Sequence, residues 1–366
     1  MRLEQYGWNE EWEEKFATFK EKEYTVGRVI LEHTHIYKVV TNNGEMQAEV
    51  SGRIRGTAEG RLGRRDEFPA IGDWVLLREY PNEQKAIVHG ILPRKSKFSR
   101  KVAGKAVYEQ IVAANLDYVF ILTSLNNEFN LRRIERYLVL AWESGAKPII
   151  VLTKADLCDE LSLKVAEVES VAVGVPIYVI SSLKGEGLDA IVPYLKKGET
   201  IGLLGSSGVG KSTLINSLKG EDVQRVNEIR QGDDRGKHTT THKELVTLPS
   251  GGLIIDTPGM RELQVLEVDE GLNNLYEDII QLAEQCKFND CLHRHEPDCA
   301  VQEAIEKGEL QYERLVSYNK MQKEAADLSL QILGNISAVE KEKGKKYAQI
   351  LQDDNKKNKR RRKQRW

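Results

Sequence analysis

Between residues 24 and 92, apolar and polar positions alternate in short runs. YTVGRVILE, HIYKVVTN, EMQAEVS, DWVLLRE and KAIVHGIL are rich in Val, Ile and Tyr, and turn residues such as Asn42-Asn43-Gly44 lie between them. The pattern predicts about five short antiparallel strands. Packed into so few residues, they predict a small barrel, with an OB-fold as the leading candidate and an SH3-like barrel as the alternative. From Asp117 the pattern changes. The apolar runs DYVFILTS, PIIVLT, PIYVIS and TIGLLG alternate with stretches of helical period, the signature of a parallel α/β sheet. Mostly helical sequence follows from about residue 283. The expected organisation is a helical extension over 1–23, a barrel over 24–93, a basic linker over 94–116, an α/β domain over 117–282, a helical module over 283–350 and a basic tail over 351–366.

Composition supports folded domains: of 366 residues, 40% are hydrophobic and 30% charged, enough for real cores beneath a charged surface. No apolar run is long enough to span a membrane. The start, MRLEQYGWNEEWEEKF, is acidic and aromatic and lacks the basic and apolar regions of a signal peptide, so the expected location is the cytosol. Net charge is −2, yet the last twelve residues, NKKNKRRRKQRW, hold eight Lys or Arg and no acid. Such a tail repels itself and suits a phosphate backbone or a purely solubilising end. The segment RIRGTAEGRLGRRDEF reads as a long Gly-rich loop carrying Arg53, Arg55, Arg61, Arg64 and Arg65. With 94–105 and 356–365 it makes three basic segments outside the α/β domain, consistent with an RNA surface.

Gly205-Ser206-Ser207-Gly208-Val209-Gly210-Lys211-Ser212 fits the phosphate-loop pattern, follows the apolar run TIGLL and opens the helical STLINSLKG with Thr213. Glycines let the backbone curl so that successive N–H groups point at phosphate oxygens at a helix N-terminus. Lys211 reaches the β- and γ-phosphates, and the Ser212 hydroxyl suits Mg²⁺. Downstream, Asp256-Thr257-Pro258-Gly259 closes another apolar run. A carboxylate there holds Mg²⁺ through water, and the Gly259 N–H senses the γ-phosphate. The polar stretch RQGDDRGKHTTTH lies between them. Thr240 is the first choice, and Thr239 the second, to complete the Mg²⁺ shell.

Thr153-Lys154-Ala155-Asp156 ends PIIVLT and resembles the guanine-reading N-K-x-D motif. A carboxylate accepts from guanine N1–H and the 2-amino group, a donor pair that adenine lacks. Thr stands where Asn is usual. Ser181-Ser182-Leu183 ends the next strand and resembles the loop that backs the base. These motifs precede the phosphate loop, whereas they follow it in most GTPases. The chain therefore reads as a circularly permuted GTPase, because strand neighbours rather than chain order build such a site. Met260 occupies the position where a water-orienting Gln would stand, so intrinsic hydrolysis is expected to be slow. His238 is the internal candidate for that task.

Cys158 stands alone. Cys286, Cys291, His293 and Cys299 crowd into fourteen residues, a closed donor set for a structural Zn²⁺ rather than a disulfide framework, with His295 as a rival ligand. Three thiolates and an imidazole leave no open position, which argues against a zinc hydrolase.

The permuted order together with GSSGVGKS, GKHTTT, DTPGM and CKFNDCLHRHEPDCAV resembles the ribosome small-subunit-dependent GTPase A (RsgA) family over nearly the whole chain. The resemblance implies an N-terminal OB-fold, a permuted GTPase domain and a C-terminal zinc module. It implies GTP and GDP as ligands, the small ribosomal subunit and its 16S rRNA as partners, a monomer, and hydrolysis stimulated during late maturation of that subunit. It also implies His238 in hydrolysis and Cys286, Cys291, His293 and Cys299 as zinc ligands. The alternative function is a nucleotide-gated switch for a protein partner with little turnover.

Overall fold

Strands form where the alternation predicts them: β1 (Thr25–His33), β2 (Ile36–Thr41), β3 (Gly44–Val50), β4 (Trp74–Tyr80) and β5 (Lys85–Ile91). They pair in the order β1-β2-β3-β5-β4, and β4 returns to β1 from Thr25↔Leu77 to Arg28↔Trp74, which closes a barrel. The parallel β3–β5 pair gives the OB-like arrangement rather than the SH3-like alternative. Inward-facing Val29, Val39, Ala48, Val75, Leu77 and Val88 fill it. Each Val or Leu among them contributes about 1.5–3 kcal/mol over remaining exposed. The computed structural model describes residues 3–19, 23–33, 36–60, 68–102, 108–220, 243–256, 269–288, 290–294, 296–324 and 326.

Two segments differ from expectation. The Gly-rich segment from Arg53, read as a loop, begins instead as helix α2 (Gly52–Gly60). Arg55 N–H donates to the Ser51 carbonyl at 3.0 Å, and Ile54 packs on the barrel core, an anchor that outweighs the poor helix propensity of three glycines. Residues 61–67 lie outside the described residues. The stretch read as a basic linker contains an antiparallel hairpin, β6 (Lys97–Val102) with β7 (Tyr108–Ala114). Buried Phe98, Val112 and Ala113 tie that hairpin into the main core.

The N-terminal extension carries a 3-10 turn over Leu3–Tyr6 and one α-helix. Helix α1 (Glu10–Ala17) is capped by Asn9, whose side chain accepts from Trp12 N–H at 3.2 Å. Its aromatic positions explain the composition: Trp8 and Trp12 meet barrel residue Trp74 with ring centroids 4.8 and 6.1 Å apart.

The α/β sheet comprises β8 (Tyr118–Ser124), β9 (Lys147–Thr153), β10 (Ile177–Val179), β11 (Thr200–Leu204), β12 (Lys243–Thr247) and β13 (Leu253–Asp256), in the order β10-β9-β8-β11-β13-β12. All neighbours run parallel except β12, which is antiparallel to β13. Alternate residues of β8 and β9 fall into two separate core clusters, Ile121 and Leu152 on one face and Phe120 and Val151 on the other. Both faces are thus covered, as continuous apolar strands require. Helices α3 (Leu131–Glu143) and α4 (Leu161–Val171) cover the first face, and α5 (Lys211–Lys219) covers the second. Strand β12 pairs with β1 at Leu31↔Glu244 and Glu32↔Lys243, so barrel and α/β sheet form one eleven-stranded sheet.

The C-terminal helices α6 (Asp269–Leu275), α7 (Glu277–Ala283), α8 (Ala300–Glu306) and α9 (312–324) share a core with α3; α6 packs directly on it, and α7 packs between α6 and α8. Gly271 N–H donates to Glu143 Oε1 at 2.6 Å, and a side chain at Gly271 would meet the Val139 carbonyl at 2.6 Å. Ser317 Oγ donates to buried Glu135 Oε2 at 2.6 Å. Among the described residues no helix is long and apolar enough to cross a membrane.

Candidate nucleotide site and metal centre

The phosphate-loop residues Gly205–Gly210 connect the end of β11 to the start of α5 at Lys211. Gly205 lies so close to β8 that a Cβ would meet the Leu122 carbonyl at 2.8 Å. Gly208 and Gly210 adopt φ of +73° and +102°, a region that disfavours side chains. Ser207 and Gly208 are exposed, whereas the Val209 side chain is buried in the core and anchors the loop. Lys211 Nζ donates to the Gly205 carbonyl at 2.6 Å and the Ser206 carbonyl at 2.8 Å, so its ammonium sits over the loop it would serve. Ser212 and Thr213 are half-buried in the first turn of α5.

Asp256 ends β13, the strand beside β11. Burial raises its carboxyl above the usual range, and the nearby Lys211 ammonium acts against that rise. A carboxylate held against its own desolvation suits a cation partner. His238, Thr239, Thr240, Gly259 and Met260 lie outside the described residues.

At the neighbouring strand ends, Thr153 is buried and its hydroxyl donates to the Val209 carbonyl of the phosphate loop at 2.7 Å. Lys154 follows with φ of +59°, the left-handed conformation that turns the chain out of β9. Asp156 accepts from Ser181 Oγ at 2.6 Å, so a residue of the second motif orients the carboxylate of the first. Ser181 is held by paired backbone bonds with Glu186, and the Ser182 carbonyl accepts from Ser217 Oγ on α5 at 3.2 Å. The structure thus brings motifs some 50 residues apart in sequence (Thr153 and Val209 are 56 apart) to the same end of the sheet. The links through Val209 and Ser217 carry no local sequence signal, because they join a side chain to a backbone carbonyl across elements.

Cys286, Cys291, His293 and Cys299 place their ligand atoms within 4.8 Å of one another. Cys286 Sγ lies 3.8 Å from Cys299 Sγ and 3.6 Å from His293 Nδ1, and Cys299 Sγ is 3.5 Å from the same nitrogen. A tetrahedron with Zn–S bonds of about 2.3 Å and Zn–N bonds of about 2.1 Å has edges of about 3.8 and 3.6 Å. Cys286, His293 and Cys299 therefore match three corners of such a site, and Cys291 places its sulfur within 4.8 Å of all three. The loop is bent to this purpose: His293 has φ of +56°, and the Glu296 carboxylate accepts from Leu292 N–H at 3.2 Å and Arg294 N–H at 2.8 Å. Burial lowers the His293 pKa, against the pull of Glu296, which favours the neutral imidazole that a metal needs. Cys299 also occupies the N-cap position of α8. His295 lies outside the described residues.

A phosphate loop, a carboxylate on the adjacent strand and, earlier in the chain, a loop of the T-K-x-D pattern at the same sheet end define a P-loop GTPase domain with permuted connectivity. Comparison with known proteins narrows this class. The chain belongs to the RsgA GTPase family, and is a GTP-hydrolysing enzyme: the family model described as RsgA GTPase matches residues 91–266, and one described as 50S ribosome-binding GTPase matches residues 200–357. A "Small ribosomal subunit biogenesis GTPase RsgA 2" from Lactiplantibacillus plantarum is 48% identical over 83% of this chain and 84% of its own. The "Small ribosomal subunit biogenesis GTPase RsgA" of Methanosarcina acetivorans is 42% identical over 93% of this chain and 90% of its own. The crystal structure of YjeQ from Thermotoga maritima superposes with a TM-score of 0.59 at 28% identity, covering 83% of this chain and 99% of that one.

Proposed function

We propose that this GTPase acts in late biogenesis of the small ribosomal subunit, and that the subunit stimulates its hydrolysis of GTP. What carries the reading is the breadth of the likeness: relatives bearing the small-subunit name align over 83% and 93% of this chain, far more than the GTPase domain alone. The 50S-named model matches no residue before 200, and so does not reach the barrel.

In this reading Asp156, oriented by Ser181, accepts from the guanine edge, with Lys154 and Ser182 beside the base. The backbone of residues 205–210 and Lys211 hold the phosphates, with Ser212 and Thr213 opening the helix behind them. Ser212, Thr240 and, through water, Asp256 would hold Mg²⁺, which neutralises charge developing on the transferred phosphoryl group. Gly259 senses the γ-phosphate, and His238 orients the attacking water in place of the side chain that Met260 cannot supply. Zn²⁺ on Cys286, Cys291, His293 and Cys299 is structural. The barrel and basic segments meet 16S rRNA, and the enzyme works as a cytoplasmic monomer.

The test is GTP hydrolysis by the purified protein alone, with small subunits and with large subunits, at matched salt. Stimulation by small subunits only is the expected result. GTP binding without stimulation by either would overturn the assembly reading and favour a nucleotide-gated switch for a protein partner.

A further inference from the structure

Two barrel strands turn apolar side chains outward as well as inward. On β4, Val75 and Leu77 fill the barrel, whereas Trp74 and Leu76 belong to the main core outside it. On β1, Val29 points in, while Val26 and Ile30 join that outer core. Leu3, Tyr6, Trp12 and Phe16 of the N-terminal extension are buried in the same cluster. The turn Leu3–Tyr6 lies against β1, and Trp8 and Trp12 sit on Trp74, so the extension covers an apolar outer face of the barrel.

The same segment reaches the GTPase domain. Gly7 has φ of +87°, and a side chain there would meet the Gly198 carbonyl at 2.5 Å. Gly198 lies just before β11, and its N–H donates at 3.0 Å to the Gly251 carbonyl, in the turn that joins β12 to β13. The Tyr6 carbonyl accepts from Arg28 of β1. Tyr6, Gly7 and Trp8 therefore touch, in succession, β1, the entry to β11 and Trp74 of β4. By contrast, β1 and β12 are in register only at Leu31↔Glu244 and Glu32↔Lys243 among the described residues. Domains of one chain move against each other unless a large apolar interface holds them. The extension adds to that interface, with its rings on the barrel and its Gly7 turn against the GTPase domain.

We propose that the N-terminal extension is a splint across the barrel–GTPase junction. It fixes the orientation of the barrel on the sheet, so that a barrel held by the small subunit acts on β11 and on the β12–β13 hairpin. The transmission rests on the function proposed above; the splint does not.

Calorimetry and GTP hydrolysis test it on the full-length protein and its Gly7→Val and Trp8→Ala variants, which strike opposite sides of the extension. The parent is expected to unfold in one transition that a non-hydrolysable GTP analogue raises as a whole. Each variant is expected to unfold in two, of which the nucleotide raises one, because each body then melts alone. Basal hydrolysis stays within about twofold of the parent. Stimulation by small subunits falls by at least about fivefold. A parent with two transitions, or a single transition in both variants, would overturn the inference. So would separation in Trp8→Ala alone, which marks loosened barrel packing, and so would undiminished stimulation in variants that unfold in two. Should Gly7→Val not fold, Gly7→Ala, with the same Cβ clash and a smaller side chain, must show the separation. A parent that small subunits do not stimulate would remove the proposed function, and calorimetry would still decide the splint.

Discussion

The guanidinium of Arg28, on barrel strand β1, donates to the Thr200 hydroxyl at 2.9 Å, and Thr200 opens the strand that leads into the phosphate loop. The same group donates to the Gly72 carbonyl at 3.2 Å, the Asn115 carbonyl at 3.4 Å and the Tyr6 carbonyl. Extension, barrel, hairpin and GTPase sheet therefore meet on one buried cation. Burial lowers its pKa to about 10, with Asp117 and Asp73 acting in the other direction, so it remains charged at neutral pH.

Replacing Arg28 by Met should cost about 3 kcal/mol, because buried carbonyls lose a charged donor while shape is largely kept. Thermal unfolding followed by intrinsic fluorescence reads this directly, since Trp8, Trp12 and Trp74 cluster nearby. A midpoint equal to the parent's would contradict the role given to this residue.

Asp256 makes stability depend on pH in a definite direction. Its folded pKa is raised by burial, so the native state holds a proton that the unfolded chain releases. The stability it contributes is complete below the ordinary carboxylate value of about 3.9 and is lost as pH rises through the raised value. Asp256→Asn should therefore melt higher than the parent at pH 7 without nucleotide, the gap closing as pH falls. Its Mg²⁺-dependent hydrolysis should fall by at least about tenfold. A variant that melts lower at pH 7 would show that the carboxylate is stabilised, not strained, by its surroundings.

Asp156 should decide base choice. A carboxylate accepts twice, whereas a carboxamide accepts once and donates once, the pattern that matches the N1–H and 2-oxo edge of xanthine. Asp156→Asn should reduce GTP affinity by about 10²-fold or more and raise xanthosine triphosphate affinity. Competition binding with both nucleotides measures the ratio; an unchanged preference would remove Asp156 from the base site.

The cysteine cluster should hold about one equivalent of zinc per chain, measurable by elemental analysis. Cys286→Ser, or chelation, should release it and open the loop over 286–299 to protease, since four side chains alone do not hold a left-handed His293 in place. Full metal retention in Cys286→Ser would point to a different ligand set.

Most of this fold was legible in the chain because the signals are local. Alternation in β1 to β5, continuous apolar runs in β8, β9 and β11, and the glycines of the phosphate loop each report on residues a few positions apart. The hairpin β6–β7 and helix α2 were not legible. Ile54 of α2 and Phe98 of β6 are single apolar anchors within basic stretches, and one residue sets no period. At the site, motifs named every residue of the phosphate loop and of the base-reading loop, but not the bond from Thr153 to Val209 that joins them.

By itself the sequence determined which residue types stand where: the phosphate loop, the carboxylate ending β13, the base-reading pair and the cysteine cluster, with their order along the chain. Only the tertiary structure decided how the parts are joined. The pairing of β1 with β12, the burial of Arg28 between barrel and sheet, and the docking of α9 on Glu135 are contacts across domains. Such contacts depend on backbone groups that every residue carries and on burial that only packing creates, so no local pattern encodes them.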